Sequence, residues 1–234
     1  MPEQSLQNIT KEEEPTALYK ELGQQMTRFL ITKGVHSSML NLIENPMELR
    51  VAAWNISHLK VEEYETLEEY YEKEPWSLLR NLAYHAYRDF SFMEDVAPLN
   101  SRLLDYGAGA GYFTESALSY DKLSVDIRGI TCDFLSRNGA TVATAPYTPV
   151  RESWDIIVCV DVLEHTEKPK EVLESLLNGL KIGGKFLYFF ADSKHDAGHI
   201  SIEHKERCDQ MVLDQCVLRA KYSQGRYPLF ERIK

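Results

Sequence analysis

The stretch Leu103-Leu104-Asp105-Tyr106-Gly107-Ala108-Gly109-Ala110-Gly111-Tyr112 constrains this chain more than any other. A short apolar run ends on a carboxylate, and three glycines at alternate positions follow before a helical pattern opens. Glycine takes up positive φ freely and lets the backbone approach a ligand closely. The helix beyond brings unpaired N–H groups to the same spot. The pattern is D-x-G-x-G-x-G, not the dinucleotide-binding G-x-G-x-x-G. An aspartate at the strand end repels a pyrophosphate but can bind a cationic amino-acid head group, directly or through water. A tight strand–helix turn packed with small residues is the blander reading, and the aspartate combined with three spaced glycines argues against it.

From that loop onward strands and helices alternate. Arg102–Tyr106 reads as a strand, residues 112–120 as a helix, 123–126 as a second strand, 129–137 as a helix, and 140–144 as a third strand closed by Pro146 and Pro149. Trp154–Val160 is apolar but for Asp155 and rich in β-branched residues, as expected of a strand buried on both faces of a parallel sheet. Residues 169–180 form a helix with Val172, Leu173, Leu176, Leu177 and Leu180 inward and Thr166 as candidate cap. Gly183-Gly184 then turns the chain into a fifth strand, residues 185–190. This rhythm implies an α/β fold with a doubly wound, mostly parallel sheet, whose crevice lies at the carboxyl ends of the strands.

The first hundred residues read as helices instead. Leu18, Leu22, Met26, Phe29 and Leu30 recur at helical spacing before Gly34, and Val61, Tyr64, Leu67, Tyr70 and Tyr71 make a stripe between glutamates, with residues 62–74 as its solvated acidic face. After Pro75, Trp76, Leu79, Leu82, Ala83, Ala86, Tyr87 and Phe90 form another. Residues 1–100 carry 17 acidic and 9 basic side chains, net −8 of a total −10. The expected organisation is an N-terminal helical cap over residues 1–100, packed on the open end of a sheet domain over residues 101–234. The acidic balance argues against nucleic acid as a partner. Apolar runs such as residues 156–160 fall far short of the roughly 20 residues of a membrane helix. The N-terminus has neither a basic start nor an apolar core, so no signal peptide is expected and the location expected is cytoplasmic. Cys132, Cys159, Cys208 and Cys216 form no C-x-x-C pair and read as reduced thiols.

Two further signals complete the set. Asp126 ends the second strand, where a carboxylate accepts hydrogen bonds from both hydroxyls of a ribose; capping the following helix is its structural alternative. The fourth strand runs into Asp161-Val162-Leu163-Glu164-His165. Together the glycine loop, Asp126, the D-V-L-E-H run and the Leu180-Lys181-Ile182-Gly183-Gly184-Lys185 turn resemble class I S-adenosylmethionine-dependent methyltransferases, in the correct order over residues 101–190. The resemblance implies a Rossmann-like fold, S-adenosyl-L-methionine as cofactor, and Asp105, Gly107, Gly109, Gly111, Asp126 and Asp161 as cofactor-binding residues. Where many members hold the adenine amino group with a polar residue after strand three, this chain has Thr144-Ala145-Pro146-Tyr147.

Methyl transfer from a sulfonium needs alignment and exclusion of water, and a hydroxyl acceptor also needs help losing a proton. His165, after strand four, and His199, after strand five, are the candidates for that help, with His85 a third. Tyr84, His85, Tyr87 and Arg88, just before the sheet part, are candidate substrate contacts. His195, His199 and His204 lie close in sequence to Asp192, Asp196 and Glu203, but Gly198 disfavours a rigid i, i+4 pair and no zinc spacing is present, so no metal is expected. The reading is methyl transfer to an O or N atom of a small molecule, in small-molecule metabolism. The alternatives are an RNA or protein methyltransferase, metal-assisted in one version, and a non-catalytic cofactor-binding partner subunit.

Overall fold

The computed structural model describes residues 14–193, 198–222 and 227–234. In the amino-terminal part, Thr16 accepts the Tyr19 N–H and opens α1 (Ala17–Thr32), which buries Tyr19, Leu22, Met26, Phe29 and Leu30. A short α2 (Ser37–Asn41) leads to α3 (Pro46–Val61), opened by the Asn45 side chain and a proline in its first turn. The stripe expected from Val61 to Tyr71 is not one helix: α3 stops at Val61, and α4 (Leu67–Lys73) starts afresh. The Thr66 hydroxyl accepts the Glu69 N–H, and such a cap is worth about 1 kcal/mol, enough to favour a new start there. Nor are all the glutamates of residues 62–74 solvated. Glu74 is only 8% exposed and accepts the Tyr64 hydroxyl at 3.2 Å. Pro75 then begins α5 (Pro75–Tyr84), and α6 (Phe92–Val96) precedes the sheet.

The sheet has seven strands in the order β3-β2-β1-β4-β5-β7-β6. Those spanning β1 (Arg102–Tyr106), β2 (Asp121–Asp126), β3 (Val142–Thr144), β4 (Trp154–Val160) and β5 (Leu180–Phe189) are mutually parallel. The strand order reverses at β1, between its neighbours β2 and β4, so the expected doubly wound α/β architecture is the one observed. Its helices are α7 (Tyr112–Ser116), α8 (Ile130–Arg137), α9 (Pro169–Gly179) and α10 (Lys205–Gln215).

Several boundaries differ from the sequence reading. The helix expected to reach residue 120 ends at Ser116, because Ser119 and Tyr120 donate their N–H groups to Ala97 and Leu99 on the way into β2. Ala140 is not in β3, since its N–H closes the end of α8 on the Leu135 carbonyl. Thr166 does not cap α9; its hydroxyl donates to the Leu163 carbonyl, and Lys168 holds the cap position. The fifth strand starts at Leu180 rather than after Gly183-Gly184. Leu180 pairs with Trp154 before the register shifts to Ile156↔Lys185, with Gly183 at φ +78° in the intervening excursion. Beyond it, α10 leads to β6 (Cys216–Tyr222) and β7 (Tyr227–Arg232), which join the sheet antiparallel.

Alternate residues of β4 face two cores. Ile156, Val158 and Val160 pack with α1, α3 and α5, whereas Ile157 and Cys159 pack with Leu173, Leu176, Leu177 and Val212 of α9 and α10. The amino-terminal helices therefore form one layer over the sheet. All four cysteines are buried and free. Among the described residues no helix is long and apolar enough to cross a membrane.

Candidate active site

The carboxyl ends of β1, β2 and β4 meet at the glycine loop. Gly107, Gly109 and Gly111 all have positive φ, at +79°, +54° and +86°. Two of them are also sterically required. A Cβ on Gly107 would stand 2.2 Å from Val162 Cγ2, and one on Gly109 would stand 2.5 Å from the Asn81 side chain. The loop is tied to β2 by Gly107 and Ala108 N–H groups, both donating to the Val125 carbonyl.

Two carboxylates flank this loop. Asp126 accepts the Gly109 N–H on Oδ2 and the Ile127 N–H on Oδ1, each at 2.8 Å. Burial pushes its carboxyl up to about 6, against the pull of those two donors. Asp105 is 1% exposed and accepts the Thr114 hydroxyl at 2.7 Å, while Thr114 also meets the Ser124 hydroxyl at 3.1 Å. Burial pushes Asp105 up to about 7, partly opposed by the Thr114 hydrogen bond and reinforced by the charge of Asp126. Acids raised in this way gain most from a cationic neighbour, and each oxygen of Asp126 keeps a second lone pair for a hydroxyl. The pair and the cradle between them fit a positively charged nucleoside with a free ribose. Asp161, the sixth expected cofactor residue, turns the chain out of β4 at φ +53°, a left-handed conformation that seats Val162 against Gly107.

The helical layer reaches this end of the sheet at three successive points. Asn81 of α5 accepts the Ala110 N–H at 2.8 Å. The Glu72 carbonyl of α4 would stand 2.2 Å from a Cβ on Gly129, in the turn after β2. The Tyr71 hydroxyl lies 3.1 Å from His165 Nδ1. Beside Gly129 a cavity of about 360 Å³ opens, lined among others by Lys33, Glu72, Pro75, Ile130 and Asp133.

His165 and His199, which follow adjacent strands, lie with their rings 4.7 Å apart. His165 Nδ1 is 2.7 Å from the Gly198 carbonyl, and His199 Nδ1 is 2.7 Å from the Ser193 carbonyl. A carbonyl only accepts, so both rings donate from Nδ1, and in the neutral ring the lone pair is on Nε2. Glu164, fully buried, accepts the Ala191 N–H at 3.2 Å through Oε1.

The four candidate substrate residues gather elsewhere in the layer. His85 is 4% exposed among Tyr84, Phe90, Tyr112, Phe113 and Tyr227. Burial, and then the charges of Arg88 and Arg50, hold it well below the ordinary histidine range. Arg88 stacks on Tyr84 and donates to the Tyr227 hydroxyl, while Tyr87 is half-buried against the same core. This group therefore joins the helical layer to β7. His195 and Asp196 lie outside the described residues, as does the start of the acidic N-terminus.

Sequence reasoning missed Asn81, Tyr71 and Thr114, and it named Glu164 only as part of the Asp161–His165 run. Asn81 carried a signal, since it is a polar residue between Leu79 and Leu82 on a helix otherwise packed into the core. Glu164 stood in the Leu-Glu-His run, but nothing in the sequence indicated that it would be buried.

A family model described as a methyltransferase domain matches residues 78–211, more than half of the chain. No curated protein matches. Among solved structures, an S-adenosylmethionine-dependent methyltransferase from Thermotoga maritima is similar at 18% identity and TM-score 0.45, over 78% of this chain and 99% of that one. The YcgJ protein of Bacillus subtilis is similar at 15% identity and TM-score 0.43, over 60% and 92%. An S-adenosylmethionine-dependent methyltransferase from Mesorhizobium loti is similar at 20% identity and TM-score 0.35, over 41% and 50%.

Proposed function

The chain belongs to the methyltransferase-domain family and is an S-adenosylmethionine-dependent methyltransferase; on that premise we propose that it methylates an O or N atom of a small-molecule acceptor beneath its helical layer. The observation that carries the cofactor reading is the pair of carboxylates, buried Asp105 and half-buried Asp126, on either side of a glycine loop in which Gly107 and Gly109 have no room for a side chain.

S-adenosylmethionine supplies, when bound, a methyl group already activated by its sulfonium. The chain's own residues do the rest. Asp126 holds ribose hydroxyls through its remaining lone pairs, and Asp105 offsets the ammonium of the amino-acid end. Gly107 and Gly109 let the backbone come close. Asn81, Glu72 and Tyr71 bring the helical layer onto the strand ends, which excludes water and confines the acceptor. Orientation of this kind accounts for up to roughly 7–11 kcal/mol of a transfer barrier. An amine acceptor needs only its neutral form, whereas a hydroxyl gives up a proton, for which Nε2 of His165 or His199 is the available acceptor.

A small acceptor is favoured by the direct seating of α4 and α5 on the strand ends, and by the net −8 of residues 1–100, which suits an amine better than a polyanion. The test is incubation of the purified protein with methyl-labelled cofactor and, separately, a metabolite extract, total RNA and a protein extract. Label in the metabolite fraction supports the reading. Label confined to RNA or protein overturns the acceptor class, and cofactor binding without product in any fraction makes the chain a non-catalytic partner.

A further inference from the structure

Arg50 of α3 is a half-buried guanidinium stacked 5.3 Å from the centroid of the Tyr84 ring. Among the described residues no carboxylate pairs with it and no oxygen accepts its N–H groups. Arg88 lies over the same ring at 4.1 Å, and Arg80 lies over Trp54 at 4.9 Å. We propose that these arginines, with Arg50 at the centre, bind a carboxylate carried by the small-molecule methyl acceptor, at an atom other than the one methylated. The inference deepens the small-molecule reading and rests on it for the ligand being the acceptor, though not for the anion site itself.

Charges of one sign gather here. Burial, and then the charges of Arg88 and Arg80, hold Arg50 below the ordinary guanidinium range, with Tyr87 as the opposing influence. Asp89, the acid next to Arg88 in sequence, directs its carboxylate oxygens to the Ser91 N–H and hydroxyl. Stacking on Tyr84 covers the flat faces of the guanidinium groups and leaves their edges. The edge is the part that receives a carboxylate, through paired N–H···O bonds. A guanidinium drawn out of water without an acceptor is costly, so a site of this composition gains most from an anion.

Arg88 is fixed by its surroundings. Its Nη1 donates to the Tyr227 hydroxyl, which lies 3.1 Å from His85 Nδ1. Buried His85, held well below the ordinary histidine range, is neutral and accepts there, so the pair brings one positive charge and not two. Leu229 of β7 stands opposite Leu187 of β5 in antiparallel register, which sets Tyr227 beside the carboxyl end of β5. Arg80 directly precedes Asn81, whose side chain accepts the Ala110 N–H of the glycine loop. The arginines therefore stand at the same end of the sheet as the cofactor loop, on the helices that confine the acceptor. A carboxylate held at Arg50 orients the rest of the acceptor. The net −8 of residues 1–100 weighs against a polyanion, so the site suits one carboxylate better than a phosphate ester, and an amine on the same molecule suits the acidic surroundings.

One readout needs no turnover. The full chain with S-adenosylhomocysteine is heated in millimolar benzoate, inorganic phosphate or the neutral isostere benzamide, at constant ionic strength. Benzoate should raise Tm by at least about 2 °C and benzamide should not; the rise should be lost in Arg50→Gln and kept in Arg219→Gln on the edge strand. No rise specific to benzoate, or the same rise in Arg50→Gln, overturns the site, and a larger rise in phosphate overturns the choice of carboxylate. The second readout is methyl transfer from labelled cofactor to a metabolite extract split on an anion exchanger. Label should appear in the retained acids and resist mild alkali, which cleaves methyl esters. The amount of that fraction giving half-maximal labelling should rise about 10-fold to 100-fold in Arg50→Gln and less in Arg50→Lys, with maximal labelling and S-adenosylhomocysteine affinity little changed. Alkali-labile label makes the carboxylate itself the methylated group and overturns its role as a handle. Label only in unretained metabolites overturns the inference and leaves the small-molecule reading intact. Label only in RNA or protein overturns that reading, and the benzoate result then still decides the anion site.

Discussion

Asp105 and Asp126 are the residues on which pH acts most directly. Both carboxyls are raised, to about 7 and about 6, chiefly by burial. A carboxyl raised in the folded state binds its proton more tightly there than in the unfolded chain. Its stabilising contribution is therefore complete below the ordinary carboxylate pKa and is lost as pH rises through 6 to 7. The ligand-free protein should thus lose stability between about pH 4 and pH 7.5 from these two groups, visible as a falling Tm. Binding runs the other way, because the ligand's ribose hydroxyls and ammonium both prefer the ionised acids. S-adenosylhomocysteine affinity should rise between pH 5.5 and 8, by up to about tenfold per unit for each coupled proton. Asp105→Asn should flatten the upper part of that rise. Asp126→Asn, which removes the charge but keeps a hydrogen-bond acceptor for the loop, should weaken binding by about 10-fold to 100-fold, equivalent to about 1.5–3 kcal/mol for charge-assisted hydrogen bonds. Calorimetry across pH checks all three. These two aspartates were legible in the sequence because Asp126 ends its strand and Asp105 stands one residue before the end of its own, each beside a recognisable break. Thr114, which holds Asp105, was not, since a threonine one turn into a helix looks like any other.

Among the elements, α5 shows how the helical layer and the glycine loop depend on one another. Gly109 has φ +54°, and any side chain there would run into Asn81. Gly109→Ala therefore carries two penalties, about 1–2 kcal/mol of left-handed backbone strain and a collision with α5. Asn81→Ala removes the second but not the first, and by itself leaves the Ala110 N–H without its side-chain acceptor. Gly109→Ala should lower S-adenosylhomocysteine affinity at least tenfold and lower Tm, and adding Asn81→Ala should restore part of the Tm and little of the affinity. Full recovery of both in the double variant would show that the loop needs space rather than its left-handed backbone. The parallel strands were readable because each is an apolar run closed by a glycine or proline. β6 and β7 were not. The edge strand β6 exposes Val217, Leu218 and Arg219, with Arg219 paired to Glu231 across the ladder, so no buried alternation marks it. The break between α3 and α4 was hidden for the opposite reason: Tyr64 keeps the apolar rhythm through a turn that the Thr66 cap creates.

At the scale of the whole molecule, charge and composition pointed to two regions, with the net acidity concentrated before residue 101. The packing joins them. One buried cluster runs from Tyr19, Leu22 and Met26 of α1 through Leu79 and Leu82 of α5 to Ile156, Val158 and Leu187 of the sheet, ending at Tyr227 and Leu229 of β7. Tyr112 donates its hydroxyl to the Leu82 carbonyl, and His85, Arg88 and Tyr227 tie the same layer to β7. Exposing the sheet face by detaching the helices would uncover Ile156, Val158, Leu187 and Leu229 together. At about 1.5–3 kcal/mol for each fully buried aliphatic side chain, that cost is comparable to the entire stability of a typical domain. Independent unfolding of residues 1–100 is therefore strongly disfavoured. The protein should unfold in one transition, with calorimetric and van't Hoff enthalpies equal and tryptophan fluorescence (Trp54 and Trp76 in the helical layer, Trp154 in β4) coinciding with circular dichroism. Two separated transitions, or amide protection in α5 lost well before that of β4, would mean that the helical layer opens as a unit of its own. In that case acceptor entry would be governed by that opening rather than by local motion of Asn81 and Tyr71.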